Sequence, residues 1–316
     1  MLLVINMKLF DLHCDTATRL LDEKQGFYKN DFHISLERAE YLQKYAQVMA
    51  IWTNYRLSDE EGYSRFFEVL YNLKNEIKIN SDKVSLVTSA SELNYCIECQ
   101  KSPLILAVED ARILANDLSR LDTLQSNGVK LLTLNWYGQT CIGGAHDTNI
   151  GLSDFGIKLV NRCFALGIIP DISHCSFEGA KMALELAKAY NKPIVASHSD
   201  SYTVNKHTRN LKDEYFFDII KIGGLVGINL CPAHLSSQDS ADLFDIVKHI
   251  EHYLSLGGED IISMGCDLDG TDLPSGFNGI QDIYQIANEL LKLNYSEELL
   301  NKIMYTNAFE FFKRNI

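Results

Sequence analysis

The sequence predicts a parallel α/β barrel, a (β/α)8 TIM-like fold with residues 1–316 as one domain, and three observations carry that expectation. Short, near-continuous Val/Ile/Leu runs recur along the chain, the mark of strands covered on both faces. Amphipathic segments of helical periodicity alternate with them about eight times. The polar residues of the apolar runs collect at their carboxyl ends, where a parallel barrel builds its active site.

The runs, in order, are "MKLFDLH", "YAQVMAIWT", "KVSLVT", "LILAVE", "VKLLTLN", "GIIPDISH", "PIVASHS", "GLVGINL" and "IISMGCD". Helical patterns such as "EEGYSRFFEVLYNLKNEI", "FEGAKMALELAKAY" and "LFDIVKHIEHYLSLG" separate most of them, with a weaker one, "SELNYCIECQ", behind the third. An open doubly wound sheet is the other arrangement this alternation permits. No G-x-G-x-x-G follows the first run and no G-x-x-x-x-G-K-[ST] occurs, which argues against nucleotide-binding versions.

A length of 316 residues exceeds the usual domain, but barrels of about 250 residues are ordinary as one domain. Acidic residues outnumber basic ones 42 to 29, for a formal charge of −13. Such a surface repels phosphate backbones and anionic lipid, so neither nucleic acid nor a membrane is an expected partner. The eight cysteines are scattered, mostly in apolar runs, and read as reduced thiols. Cys96 and Cys99 form a C-x-x-C with no second pair to complete a zinc site. The opening "MLLVINMKLF" is too short for a signal-peptide core, and the chain reads as cytoplasmic.

Five runs end in residues able to ligate a metal or move a proton: His13 and Asp15, Glu109, His174, His198 and Asp267. Strand alternation places His13 and Asp15 on one face and Cys14 on the other. Imidazoles mixed with carboxylates suit zinc and neighbouring ions rather than magnesium or calcium. The set exceeds the three protein ligands of one catalytic zinc; two ions about 3.5–4 Å apart, sharing a carboxylate, would use it fully. Taken singly, Glu109 also fits a helix cap or an ion pair, and Asp171 a buried acceptor or a supporting partner of His174. Arg209 also fits a salt bridge with Asp213 or Glu214. His33, His146, His207, His234, His249 and His252 read as polar residues of loops and helix faces.

These residues resemble the renal (membrane) dipeptidase family, bacterial type, of the metal-dependent amidohydrolase-like barrels. "DLHCDT", "AVEDA", "LLTLNW", "GLSDFGIKLVNRCFALGIIPDISHCS", "PIVASHSDSY", "TRNLKDE" and "GCDLDGT" follow in family order from about residue 8 to the end. The resemblance implies a dipeptidase with two Zn²⁺ ions: His13 and Asp15 on one, His174 and His198 on the other, Glu109 bridging. Asp267 would handle the proton of a water held between the ions, and Arg209 would meet the carboxylate of a small dipeptide. A homodimer is the family-like assembly. Two departures fall on the substrate side: Trp136 stands where mammalian members have a histidine after the fifth strand, and Cys231 where a tyrosine is expected. A deacetylase or lactonase on the same barrel is the alternative activity, and a metal-binding scaffold without catalysis the alternative class.

Overall fold

The computed structural model describes residues 7–238 and 240–316; the first six residues, and with them the opening methionine, lie outside the described residues. Nine parallel strands form, at the nine apolar runs: β1 (Lys8–Cys14), β2 (Lys44–Trp52), β3 (Val84–Leu86), β4 (Ser102–Glu109), β5 (Val129–Thr133), β6 (Ile169–Asp171), β7 (Val195–Ala196), β8 (Leu225–Ile228) and β9 (Ile262–Met264). Pairing runs β2-β1-β9-β8-β7-β6-β5-β4, and a β2–β4 pairing closes the ring. The third run is therefore not a stave of the barrel. β3 pairs only with the start of β4, Val84 against Ser102 and Leu86 against Leu104, outside the closed ring.

Helices fill most crossovers, and their ends follow local chemistry. Ser58 and Glu61 form a reciprocal capping box at the start of the helix Asp59–Ile79. Asp242 and Asp245 do the same for Leu243–Ser255. Leu, Ile and Val from the outward strand faces pack with these helices in one large cluster. A second cluster fills the barrel interior with Phe10, Ala46, Val48, Ile105, Ala107 and Leu131, and with Phe311 and Phe312 of the helix Asn307–Asn315. Small side chains suit an inner layer this narrow.

Alternation along β4 is regular: Ile105 and Ala107 face the interior, and Glu109 emerges two residues later at the mouth. β1 is not regular. Asp11 pairs with Gln47 but Cys14 pairs with Met49, so β1 carries one extra residue. That bulge lets Leu12 join the interior cluster while the next residue, His13, also turns to the site. Cys14 then packs outward, its Sγ 3.4 Å from Met49 Sδ.

Candidate metal centre

The predicted residues converge. His13 Nε2 lies 3.4 Å from Asp15 Oδ2, 3.7 Å from Glu109 Oε1 and 3.9 Å from Asp267 Oδ1. The same Glu109 oxygen lies 3.0 Å from His174 Nε2 and 3.5 Å from His198 Nε2. Ligand-type atoms of His13, Glu109 and His198, and of His13, Asp15 and Asp267, fall in groups compact enough to hold an ion.

His174 and His198 reach this point from backbone beyond their short strands. Asp171 makes that geometry: its Oδ1 accepts the N–H groups of Ser173 (2.9 Å) and Ser197 (3.0 Å) where the ladder has ended. His174 and Asp267 sit at φ 68° and 57°, left-handed conformations rare for non-glycine residues. Gly270 lies so close to Asp15 and Asp267 that a Cβ there would collide with both carboxylates.

Hydrogen bonds fix the tautomers of two imidazoles. The Trp136 carbonyl can only accept, so His174 Nδ1, 3.1 Å away, carries the hydrogen and donates it. Ser197 Oγ donates to Asp171 Oδ2 (2.6 Å) and therefore accepts from His198 Nδ1 (2.7 Å). Both Nε2 atoms are then bare lone pairs, 3.0 Å from each other and close to a carboxylate. Two lone pairs at that separation repel; a cation between them resolves the contact. His13 adds two buried ring nitrogens, and Asp15 a buried Oδ1, with no hydrogen-bond partner among the described residues. The donor set fits a metal.

Electrostatics agree. Burial, reinforced by the positive charge of Arg209, holds His174 and His198 well below the usual histidine range, neutral as ligands must be. Burial disfavours charge on His13 too, but Glu109, Asp15 and Asp267 outweigh it and lift its pKa to about 10. Burial and the neighbouring Asp15 raise Glu109, and they push Asp267 up to about 6. Without a cation this cluster retains protons; a cation would release them.

A cleft of about 490 Å³ opens above the cluster. Arg209 lines it, buried, with Nη1 and Nη2 lacking any partner among the described residues. Asp213 instead accepts from Thr203 and meets His252, so the alternative salt bridge with Asp213 does not form; Glu214 is paired with Lys212. Trp136 and Cys231 also line the cleft.

Sequence reasoning missed several groups. Asn229 donates to Asp267 Oδ2 (3.2 Å) and to the His198 carbonyl (3.2 Å), holding both. It directly follows β8, as the second-last residue of the run "GLVGINL", near where polar groups marked the other strand ends. The reading of the six remaining histidines as polar residues of loops and helix faces needs correction for three of them, which face the cleft. His33, His249 and His252 are tied to protein partners. His146, His207 and His234 line the cleft, because three separate loops fold over the same mouth.

A closed parallel barrel that gathers imidazoles and carboxylates at its carboxyl-end mouth defines a metal-dependent hydrolase barrel. The chain belongs to the membrane dipeptidase family (peptidase family M19), whose model matches residues 2–315. It is a metallo-dipeptidase of that family. A solved dipeptidase described as a metallo peptidase of family M19 superposes with a TM-score of 0.91 at 24% identity, covering 98% of this chain and 99% of that one. A Rhodobacter sphaeroides metallo peptidase, solved with a phosphinate mimic of the dipeptide L-Ala-D-Ala, gives 0.89 at 22% identity over 98% and 100% of the two chains. A Klebsiella pneumoniae protein called an uncharacterised protein in the pqqA 5′ region is 28% identical over 247 residues, 74% of this chain and 90% of its own.

Proposed function

We propose that the chain acts as a single-domain zinc dipeptidase with two ions, His13 and Asp15 holding one, His174 and His198 the other, and Glu109 shared between them. The observation that carries this reading is the pair of fixed Nε2 lone pairs meeting at Glu109. When bound, the ions supply Lewis acidity, lowering the pKa of a water from 15.7 towards about 7. Asp267, held by Asn229 beside His13, is the group placed to take the attacking water's proton and return it to the leaving amine. Arg209 offers two unpaired N–H-bearing nitrogens for the substrate's terminal carboxylate, a bidentate match. With one fixed carboxylate site above the centre, substrate length is limited to dipeptides.

The relative bound to an L-Ala-D-Ala mimic supports testing D-residues at the second position. A cytoplasmic location accords with eight free thiols, and a homodimer is the proposed assembly. Among the described residues no helix is long and apolar enough to cross a membrane. Metal analysis combined with L,L- and L,D-dipeptide hydrolysis tests the reading. Activity should vanish on chelation and return with zinc; hydrolysis that persists in metal-stripped protein overturns it.

A further inference from the structure

The three overlooked histidines stand together around Arg209, each delivered by a different loop. Ring centroids of His207 and His234 are 4.8 Å apart, and those of His146 and His207 are 6.4 Å apart. The arrangement is built rather than incidental. Asn210 donates both to the Asn205 carbonyl (2.9 Å) and to the His234 carbonyl (2.8 Å), and Asn205 also donates to the His234 carbonyl (2.9 Å). The loop carrying His207 and Arg209 is thereby tied to the loop carrying His234.

His207 has a fixed tautomer. The Arg209 backbone N–H can only donate, so His207 Nδ1 (3.2 Å) accepts and the hydrogen of the neutral ring sits on Nε2. That Nε2–H meets no acceptor among the described residues, although the ring lines the cleft. His249 shows the opposite case: its Nδ1 accepts from Ser201 and its Nε2 donates to the Leu235 carbonyl, which leaves nothing to offer.

Arg209 has two free nitrogens for one carboxylate, and the imidazole N–H beside it remains for a second acceptor. A further cation is disfavoured there by the permanently charged guanidinium. An apolar side chain would leave the half-buried His207 Nε2–H without an acceptor as it displaces water from the cleft, a loss of binding. We infer that the cleft around His146, His207 and His234 is a subsite for an acidic side chain on the second residue of the dipeptide, beside the terminal carboxylate on Arg209. This rests on the dipeptidase reading above, and it makes the three histidines specificity-determining residues.

The test compares Ala-Glu with Ala-Gln, which differ in charge but hardly in shape, with Ala-Ala as reference, using zinc-loaded protein and both configurations of the second residue. A charge-assisted bond in place of a neutral one should favour Ala-Glu in kcat/KM by about tenfold or more. His207→Phe and His234→Phe should each lower the Glu/Gln ratio severalfold, a quantity insensitive to the fraction of folded enzyme. Calorimetric binding of free glutamate and free glutamine to the same protein provides a readout independent of turnover. Hydrolysis of Ala-Ala with a Glu/Gln ratio near one overturns the subsite and leaves the dipeptidase reading intact. Failure to hydrolyse any of the peptides, with glutamate still bound more tightly than glutamine, overturns the dipeptidase reading and supports the subsite.

Discussion

At the floor of the barrel Phe10 stacks on Phe312 with centroids 5.3 Å apart and planes 9° apart, and Tyr305 and Phe311 complete an apolar plug. At the mouth, three residues further along the same strand, both nitrogens of His13 are buried without a hydrogen-bond partner among the described residues. The floor has small and aromatic groups in mutual contact. The mouth has left-handed backbone at His174 and Asp267, bare lone pairs, and a buried guanidinium whose Nη1 and Nη2 meet no partner among the described residues. One end supplies stability and the other concentrates unsatisfied chemistry, so substitutions at the two ends should separate cleanly.

The sharpest separation is expected for Asp267→Asn. Losing a positioned acid/base should lower turnover by about 10²–10⁴ while metal content and melting temperature stay near wild type. Turnover close to wild type would remove the contrast. Phe312→Ala should do the reverse, costing about 3–5 kcal/mol in chemical denaturation with kcat/KM of the folded fraction unchanged. An activity loss matched to that destabilisation would mean the floor also shapes the site.

Ser197→Ala sharpens the comparison from within the mouth. Removing the hydroxyl that links Asp171 to His198 should weaken zinc affinity about 10- to 100-fold, measured by competition with a chromophoric chelator. Unchanged affinity would show that His198 needs no fixed tautomer.

The smallest effect is a pH slope in metal-stripped protein. Asp267, pushed from 3.8 to about 6, and His13, lifted from 6.5 to about 10, both bind a proton more tightly folded than unfolded. Their stabilisation is full below the unfolded pKa and is lost as pH rises through the folded one. The difference in urea midpoint between zinc-saturated and metal-stripped protein should therefore widen from pH 4 to pH 6 and again from pH 6.5 towards pH 10. A gap that narrows over these ranges would contradict the charge balance assigned to the mouth.

Residue by residue, the sequence carried more of the centre than of the cleft. His13, Asp15, Glu109, His174, His198 and Asp267 terminate apolar runs, and parallel strands bring such termini to one mouth, so their convergence could be read in advance. Asn229 follows β8 directly but is not a metal-ligand type and is followed by the apolar Leu230, so no pattern marked it. His146 and His207 lie in irregular loops and His234 in the four-residue helix Pro232–Leu235, segments too short or irregular for a period to say which way a side chain points. The extra residue in β1 was equally invisible, since simple alternation already grouped His13 with Asp15 and hid the break between Leu12 and His13.

Local pattern alone settled the strands, their parallel order and the end of the barrel at which polar groups gather, because burial on both faces imposes continuous apolar runs. Three things depended on tertiary contact: β3 standing outside the ring, the tautomers of His174, His198 and His207, and the grouping of three loop imidazoles around Arg209. A tautomer or a loop approach is set by partners from distant parts of the chain, and no local period encodes them.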